Sequence, residues 1–208
     1  MDQGVKQLGL TLANLNLTNL QNLTLHLNKN DIGPKGISSL SSALLKCDNI
    51  KFLQMILNDN QIGSEGAKNL SFVLKDFKNL TILNLGLYQN EIGPKGGSDL
   101  CIGLQKCIHL TTLIINLDYN DTGLQFASQI GYALSECKNL TQLTISIISN
   151  GIGEQGLLYF QNNLVKHPHL LSLQIWLCDN ELDYPIQQKL RVKLLKIKKL
   201  VKDLVLQF

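Results

Sequence analysis

The chain has 208 residues and a formal net charge of +3; 44% of the residues are hydrophobic, 17% charged and 6% aromatic. That is too apolar for a disordered chain, and glycine and proline are too sparse for a fibrous one. The mild charge gives no reason to expect a nucleic-acid partner, and no uninterrupted apolar stretch approaches the roughly 18 residues of a membrane span.

The N-terminal MDQGVKQLGLTL lacks the charged-then-apolar layout and small-residue cleavage site of a signal peptide. Five cysteines would leave one thiol over in any disulfide framework. Both features favour a reduced, cytoplasmic setting, in which the Asn-X-Ser/Thr triplets at Asn16, Asn22, Asn69, Asn79, Asn120 and Asn139 are incidental to composition. Within the first 19 residues, Val5, Leu8, Leu10 and Leu12 fit a strand spacing that the rest of the chain repeats. Only Ala13 to Asn19 separate them from the first full unit, too few for a parallel crossover of a dozen or more residues. Residues 1–19 are therefore expected to form an antiparallel or irregular N-terminal cap.

From residue 20 the chain has a period of 30. Asparagine stands at Asn30, Asn60, Asn90, Asn120, Asn150 and Asn180, and three positions later come Gly33, Gly63, Gly93, Gly123 and Gly153, with Asp183 breaking the column. Leu44, Leu74, Leu104, Leu134, Leu164 and Leu194 form another column, and Leu20, Ile50, Leu80, Leu110, Leu140, Leu170 and Leu200 a third. Each unit carries two periodicities. Leu83, Leu85 and Leu87 alternate with polar or small residues, the signature of a half-buried strand. Leu100, Leu104 and Cys107 are spaced by four and three, one stripe of a helix, and Pro34 and Pro94 sit where a helix can begin without losing a hydrogen bond. Six strand–turn–helix units are expected over 20–199, followed at 200–208 by a cap strand in which Val201, Leu204, Leu206 and Phe208 refit the strand pattern one residue late.

The segment L-T-I-L-N-L-G-L-Y-Q-N-E-I-G-P-K-G at 80–96 and its counterparts resemble the leucine-rich repeat proteins, specifically the ribonuclease-inhibitor-like subclass with a helix in each repeat. One departure recurs: an extra x-L pair precedes the asparagine, placing Leu57, Leu87, Leu117, Ile147 and Leu177 in an added apolar column. The resemblance implies an α/β, right-handed solenoid, with parallel strands on its concave face and α-helices on its convex face. Packing gives independent support, because a lone strand–helix unit cannot bury both its strand leucines and its helix stripe, so units must stack. Asparagine amides at the strand ends are expected to bond the backbone of the turn and of the next repeat, and the glycines to adopt positive φ.

No catalytic constellation, cofactor motif or metal centre is expected. Cys47, Cys107 and Cys137 share a column with Phe77 and Ile197 and read as core fillers in preference to metal ligands. Cys101 and Cys178 lie outside that column, Cys178 near a strand end, and His167 and His169 read as polar loop residues. G-P-K-G at 33–36 and 93–96 lacks the ending and context of a phosphate loop, and no nucleophile elbow is present.

Function is expected on the surface instead. Tyr88, Ile114, Tyr119, Ile148 and Trp176 are the large groups of an otherwise mainly uncharged concave groove, the side-chain types that anchor protein interfaces. Lys189, Arg191, Lys193, Lys196, Lys198, Lys199 and Lys202 oppose only Asp203 in the last 20 residues, a net +6. They mark either a solvated cap or a surface that docks the chain, as a small structural subunit, into a larger assembly. The resemblance also implies a third reading, a Ran-type regulator of small GTPases, weakened by there being a single arginine, Arg191, and by Asp59, Asp118 and Asp179 matching no catalytic motif. The leading expectation is a non-enzymatic module that binds another protein, with no small-molecule substrate.

Overall fold

Among the described residues seven strands form one sheet in strict chain order: β1 (Asn22–His26), β2 (Phe52–Ile56), β3 (Ile82–Gly86), β4 (Thr112–Asn116), β5 (Gln142–Ser146), β6 (Ser172–Trp176) and β7 (Asp203–Gln207). The computed structural model describes residues 2–15, 17–165, 167, 169–195 and 203–208. Every neighbouring pair is parallel, and from β1 to β6 each residue meets its counterpart 30 positions on, as in Leu23 with Leu53 and Leu143 with Leu173. The last pairing slips to 31, Leu173 with Leu204. A register locked to the sequence period is what stacking identical units requires, since a one-residue slip would turn every strand leucine to the other face.

Helices α2 (Pro34–Leu44), α3 (Gly63–Asp76), α4 (Gly93–Leu104), α5 (Gly123–Glu136), α6 (Gly153–Leu164) and α7 (Tyr184–Leu195) follow the first six strands in turn. The core lies between the two layers. Leu83, Leu85 and Leu87 enter it from one repeat's strand and its exit, and Leu100, Leu104 and Cys107 from the helix that follows and the turn after it, all essentially inaccessible to solvent. The added column, Leu57, Leu87, Leu117, Ile147 and Leu177, is fully buried as well, so the extra residue pair lengthens the packed part of each coil. On β1, by contrast, Leu23, Leu25 and Leu27 are only partly buried, because no strand lies on its outer side. Among the described residues no helix is long and apolar enough to cross a membrane.

The N-terminal segment departs from expectation. Residues Asp2–Asn14 form a helix, α1, and not the strand-patterned cap that Val5, Leu8, Leu10 and Leu12 imply. The same residues contain a helical stripe, Val5, Leu8 and Leu12, at spacings of three and four. In the structure Val5 is buried, Leu8 and Leu12 pack against the core, and Leu10 is left exposed. The helix wins because α2 offers a neighbouring apolar face, whereas a lone strand without a crossover has no partner.

Successive helices approach most closely where glycine removes the side chain. A Cβ placed on Gly103 of α4 would lie 2.9 Å from the Cα, carbonyl oxygen and hydroxyl of Ser71 in α3. Gly103→Ala is therefore expected to force α3 and α4 apart and to cost about 1–3 kcal/mol, even though alanine is worth about 1 kcal/mol over glycine in helix propensity. Gly4→Ala supplies the control, since nothing lies within 4 Å of its Cβ position and only the propensity gain remains. Urea unfolding measures both, and a neutral or stabilising Gly103→Ala would contradict the close-packing account.

Candidate functional site: the sheet face and its strand-end rim

The asparagines that close each strand build the rim. Asn120 donates its amide hydrogens to the carbonyls of Leu87 (2.8 Å), Leu117 (2.9 Å) and Asp118 (3.0 Å). Its Oδ1 accepts the backbone N–H groups of Asn90 (2.9 Å) and Ile92 (3.3 Å). Asn60 repeats the pattern with Leu27, Leu57 and Asn58 as acceptors and Asn30 and Ile32 as donors, and Asn180 does so with its equivalents; Asn90 and Asn150 each keep two of the donated bonds and one accepted backbone N–H. Each side chain thus binds its own turn and the preceding repeat, not the following one. Asn30 begins the column, is exposed, and donates only to the carbonyl of Asn28.

These bonds hold a backbone that would otherwise be costly. Lys29, Asp59, Gln89, Tyr119, Ser149 and Asp179, each just before its asparagine, all have φ between 51° and 57°, a left-handed conformation that side chains normally avoid. Gly63, Gly93, Gly123 and Gly153 follow at 62° to 70°. Gly33 departs from its column, with φ −95°, at the head of α2.

A second set of polar side chains ties the sheet face. The Oδ1 atoms of Asn28, Asn58 and Asp118 accept the backbone N–H of Asn58 (2.9 Å), Tyr88 (3.0 Å) and Ile148 (2.7 Å), each 30 residues on. Asp118 also accepts the Ser146 hydroxyl at 2.6 Å and is only 7% exposed. It is a buried structural acceptor, not a groove acid. The signal for this lay in its column, which reads Asn28, Asn58, Tyr88, Asp118, Ile148 and Cys178, with a short side-chain acceptor at three of its six positions.

The five expected partner-binding residues fall into two groups. Tyr119, 50% exposed, and Ile114, 37% exposed, are open to solvent, while Tyr88, Ile148 and Trp176 are half-buried. Tyr88 and Tyr119 come together edge to face, with ring centroids 5.4 Å apart and planes at 68°. Ile114 sits on β4 between Asn84 and Thr144 of the neighbouring strands, and Trp176 on β6 beside Ser146 and Gln207. Of the basic residues, Lys189 and Arg191 are exposed on α7 and Lys193 reaches the side-chain oxygen of Asn162; Lys196, Lys198, Lys199 and Lys202 lie outside the described residues. The sequence reading also missed an exposed column on the helix layer, Phe72, Ile102 and Tyr132 on α3, α4 and α5, which carries the same period as the core columns.

Cysteine chemistry is quenched by burial. Cys47, Cys101, Cys107 and Cys137 are buried, and Cys178 half-buried, all as free thiols. Desolvation pushes Cys107 and Cys137 up to about 12 and raises Cys101 and Cys47 above their ordinary value, which removes the thiolate needed for nucleophilic attack. The Cys107 and Cys137 thiols face the carbonyls of Leu74 (3.4 Å) and Leu104 (3.5 Å) of the preceding repeat. His167 is the next member of this column. It lies in the segment between α6 and β6, as its K-H-P-H-L setting implies, but is buried there at 6% exposed, with Nε2 2.9 Å from the Cys137 carbonyl. Among the described residues no group of three or more His, Cys, Asp or Glu side chains is placed to hold a metal ion.

Charge divides between the two rims of the sheet. The strand-end segments 29–35, 59–65, 89–95, 119–125, 149–155 and 179–185 carry nine carboxylates against three lysines, a net −6. The segments leading into strands, 45–51, 75–81, 105–111 and 135–141, carry six lysines against three carboxylates, a net +3. Helices α2 to α7 all begin at the acidic rim, where carboxylates complement the positive ends of their dipoles. A cavity of about 400 Å³ opens in that rim between Glu91, Gly93, Tyr119, Asn120, Asp121 and Ser149.

A parallel sheet built in 30-residue steps, an asparagine ladder at its strand ends and a helix after each strand define the architecture of a leucine-rich repeat solenoid. A family model described as Leucine Rich repeat matches residues 19–41 and 49–71. Among solved structures, the tropomodulin C-terminal domain of Caenorhabditis elegans is similar over 78% of this chain and 94% of that one, with a TM-score of 0.53 at 17% identity, a likeness of fold. Nothing among the curated proteins matches the chain. Repeats and fold together are those of protein-interaction modules.

Proposed function

We propose that the chain is a non-enzymatic module that binds a partner protein through its sheet face and the adjacent strand-end loops. The observation that carries this reading is the exposed Tyr119, held edge to face by Tyr88 on a backbone fixed by the asparagine ladder. Anchors fixed in advance lose little entropy when a partner arrives, and aromatic anchors dominate interface energetics. The same reading keeps the protein in the cytoplasm and in the ribonuclease-inhibitor-like subclass, with six units at 20–199 between caps at 1–19 and 200–208. Affinity capture from the native cell with the wild-type chain and with the Trp176→Ala/Tyr119→Ala double variant tests it. Loss of about 2 kcal/mol or more per anchor should abolish capture; partners retained in full by the folded double variant would refute the reading.

The basic surface of α7 supports a second reading, docking into a larger assembly. Exposed Val192 lies between Lys189 and Lys193 beside a cavity of about 450 Å³, so an apolar contact flanked by cations is available there. Capture that persists at high salt would count against it, because exposed charge contacts are screened. Arg191 lies on this helix and not on the sheet face, which gives a GTPase-regulating reading no support.

A further inference from the structure

Resting on the sheet-face reading above, we infer that the strand-end cavity receives a cationic side chain, lysine or arginine, from the partner protein, seated against Tyr119 between Glu91 and Asp121. The cavity, about 400 Å³, has one aromatic wall and two carboxylates 30 residues apart on neighbouring repeats. Neither carboxylate takes part in a hydrogen bond or ion pair among the described residues, where the ion pair formed is Lys68 with Glu65. The amide of Asn120 is fully occupied by backbone partners, so it adds no free donor that would draw an anion. Gly151 stands where the next repeat would carry a third side chain of this column, and its Cβ position lies 3.8 Å from Asp121 Oδ1; the far side of the cavity therefore stays open. Tyr88 meets Tyr119 in a T-shaped contact, which fixes the orientation of the Tyr119 ring.

Chemistry selects the occupant. A lysine or arginine stem can lie along the tyrosine ring while its head meets the ring face and the two carboxylates, combining a cation–π contact with charge-assisted hydrogen bonds. An anion is opposed by the net −6 of the rim, and an apolar group would bury two carboxylates without partners. The acidic rim would also steer a basic segment toward the cavity, while the net +3 of the opposite rim repels it. The chain thus prefers a partner that brings its cation to the strand ends and its apolar groups to Ile114 and Trp176.

Fluorescence anisotropy with labelled nonalysine and nonaarginine peptides, at low and high salt, provides the test. The wild-type chain should bind both, more weakly at high salt. Glu91→Gln/Asp121→Asn and Tyr119→Ala should each weaken binding by about tenfold, while Tyr119→Phe retains it. Alanine meets the same left-handed backbone penalty as tyrosine, so the exchange at residue 119 isolates the ring. Asp31→Asn/Glu154→Gln removes the same charge from the rim outside the cavity. An equal loss in that variant, indifference to Tyr119→Ala, or no binding at low salt would overturn the inference. So would a Glu91-dependent self-association of the chain in analytical ultracentrifugation, which would make a second copy the occupant, or calcium binding lost in Glu91→Gln/Asp121→Asn. Native capture lost in Trp176→Ala but intact in Glu91→Gln/Asp121→Asn overturns the cation seat and leaves the sheet-face reading standing. Peptide binding through the cavity with capture indifferent to Trp176→Ala does the reverse.

Discussion

Asn120→Ala is expected to cost about 4 kcal/mol of unfolding free energy, against less than about 1 kcal/mol for Asn30→Ala. Asn120 makes five side-chain hydrogen bonds, to three carbonyls and from two backbone N–H groups, and is 2% exposed. Truncation leaves those backbone groups buried with no water to replace the amide, and each such group costs roughly 1–3 kcal/mol. Relaxation recovers part of that sum. Asn120→Asp keeps the two accepting contacts but turns an anion toward three carbonyl oxygens, so it should be at least as harmful as alanine. Because the bonds join two repeats, the loss falls on the coupling between neighbours that makes a repeat array unfold as one unit. Urea unfolding should show a lower midpoint for Asn120→Ala and a broadened transition, as the segments on either side begin to melt separately. Asn30 is exposed and its side chain donates to one carbonyl, so its column position without its bonds is an internal control. Equal losses at the two positions would mean that the asparagines act through turn propensity and not through the ladder.

Periodicity made the interior of this protein readable and left its exceptions hidden. Strand register, the buried columns and the asparagine ladder all follow from a 30-residue step, because stacked units must place equivalent residues in equivalent contacts. The N-terminal segment carried two patterns at once: Leu8, Leu10 and Leu12 alternate, while Val5, Leu8 and Leu12 form a helical stripe. Only the neighbouring α2 decides between them. Asp118 matches no catalytic motif, and its burial is not visible in the sequence because charge usually marks a surface; the N–H of Ile148 and the hydroxyl of Ser146 give it buried partners. The interaction anchors were only partly legible. Alternation puts Ile114 and Trp176 on the open face of the sheet, but the positive φ of Tyr119 that aims its ring at the rim is a property of the turn and leaves no mark in hydrophobic spacing.

The protein should lose stability as pH falls below the ordinary histidine range, and His167→Cys should remove most of that loss. His167 occupies a core column in which Cys47, Cys107 and Cys137 precede it. Its Nε2 lies 2.9 Å from the carbonyl oxygen of Cys137; a carbonyl only accepts, so Nε2 carries the proton and Nδ1 is bare in the neutral ring. Nδ1 is buried and has no partner among the described residues. Protonation would place a second N–H and a full charge where nothing accepts the one or solvates the other. Burial accordingly lowers the pKa of His167; the bond to Cys137 opposes that shift, and the neighbouring His169 adds to it, leaving the net direction downward. The unfolded chain therefore takes up a proton at a higher pH than the folded one. Between the ordinary histidine value and the depressed folded value the unfolded state binds more protons, so stability is fully present above that window and declines as pH falls through it. Cysteine at this position restores the column, offers a thiol to a carbonyl of the preceding repeat as Cys137 does to Leu104, and does not titrate there. Urea midpoints followed from neutral to mildly acidic pH should fall more steeply for the wild-type chain than for His167→Cys. Because His26, His109 and His169 are present in both, the difference between the two curves isolates His167. Parallel curves would mean that the ring is hydrated in solution and that the sixth coil is more open than its packing shows.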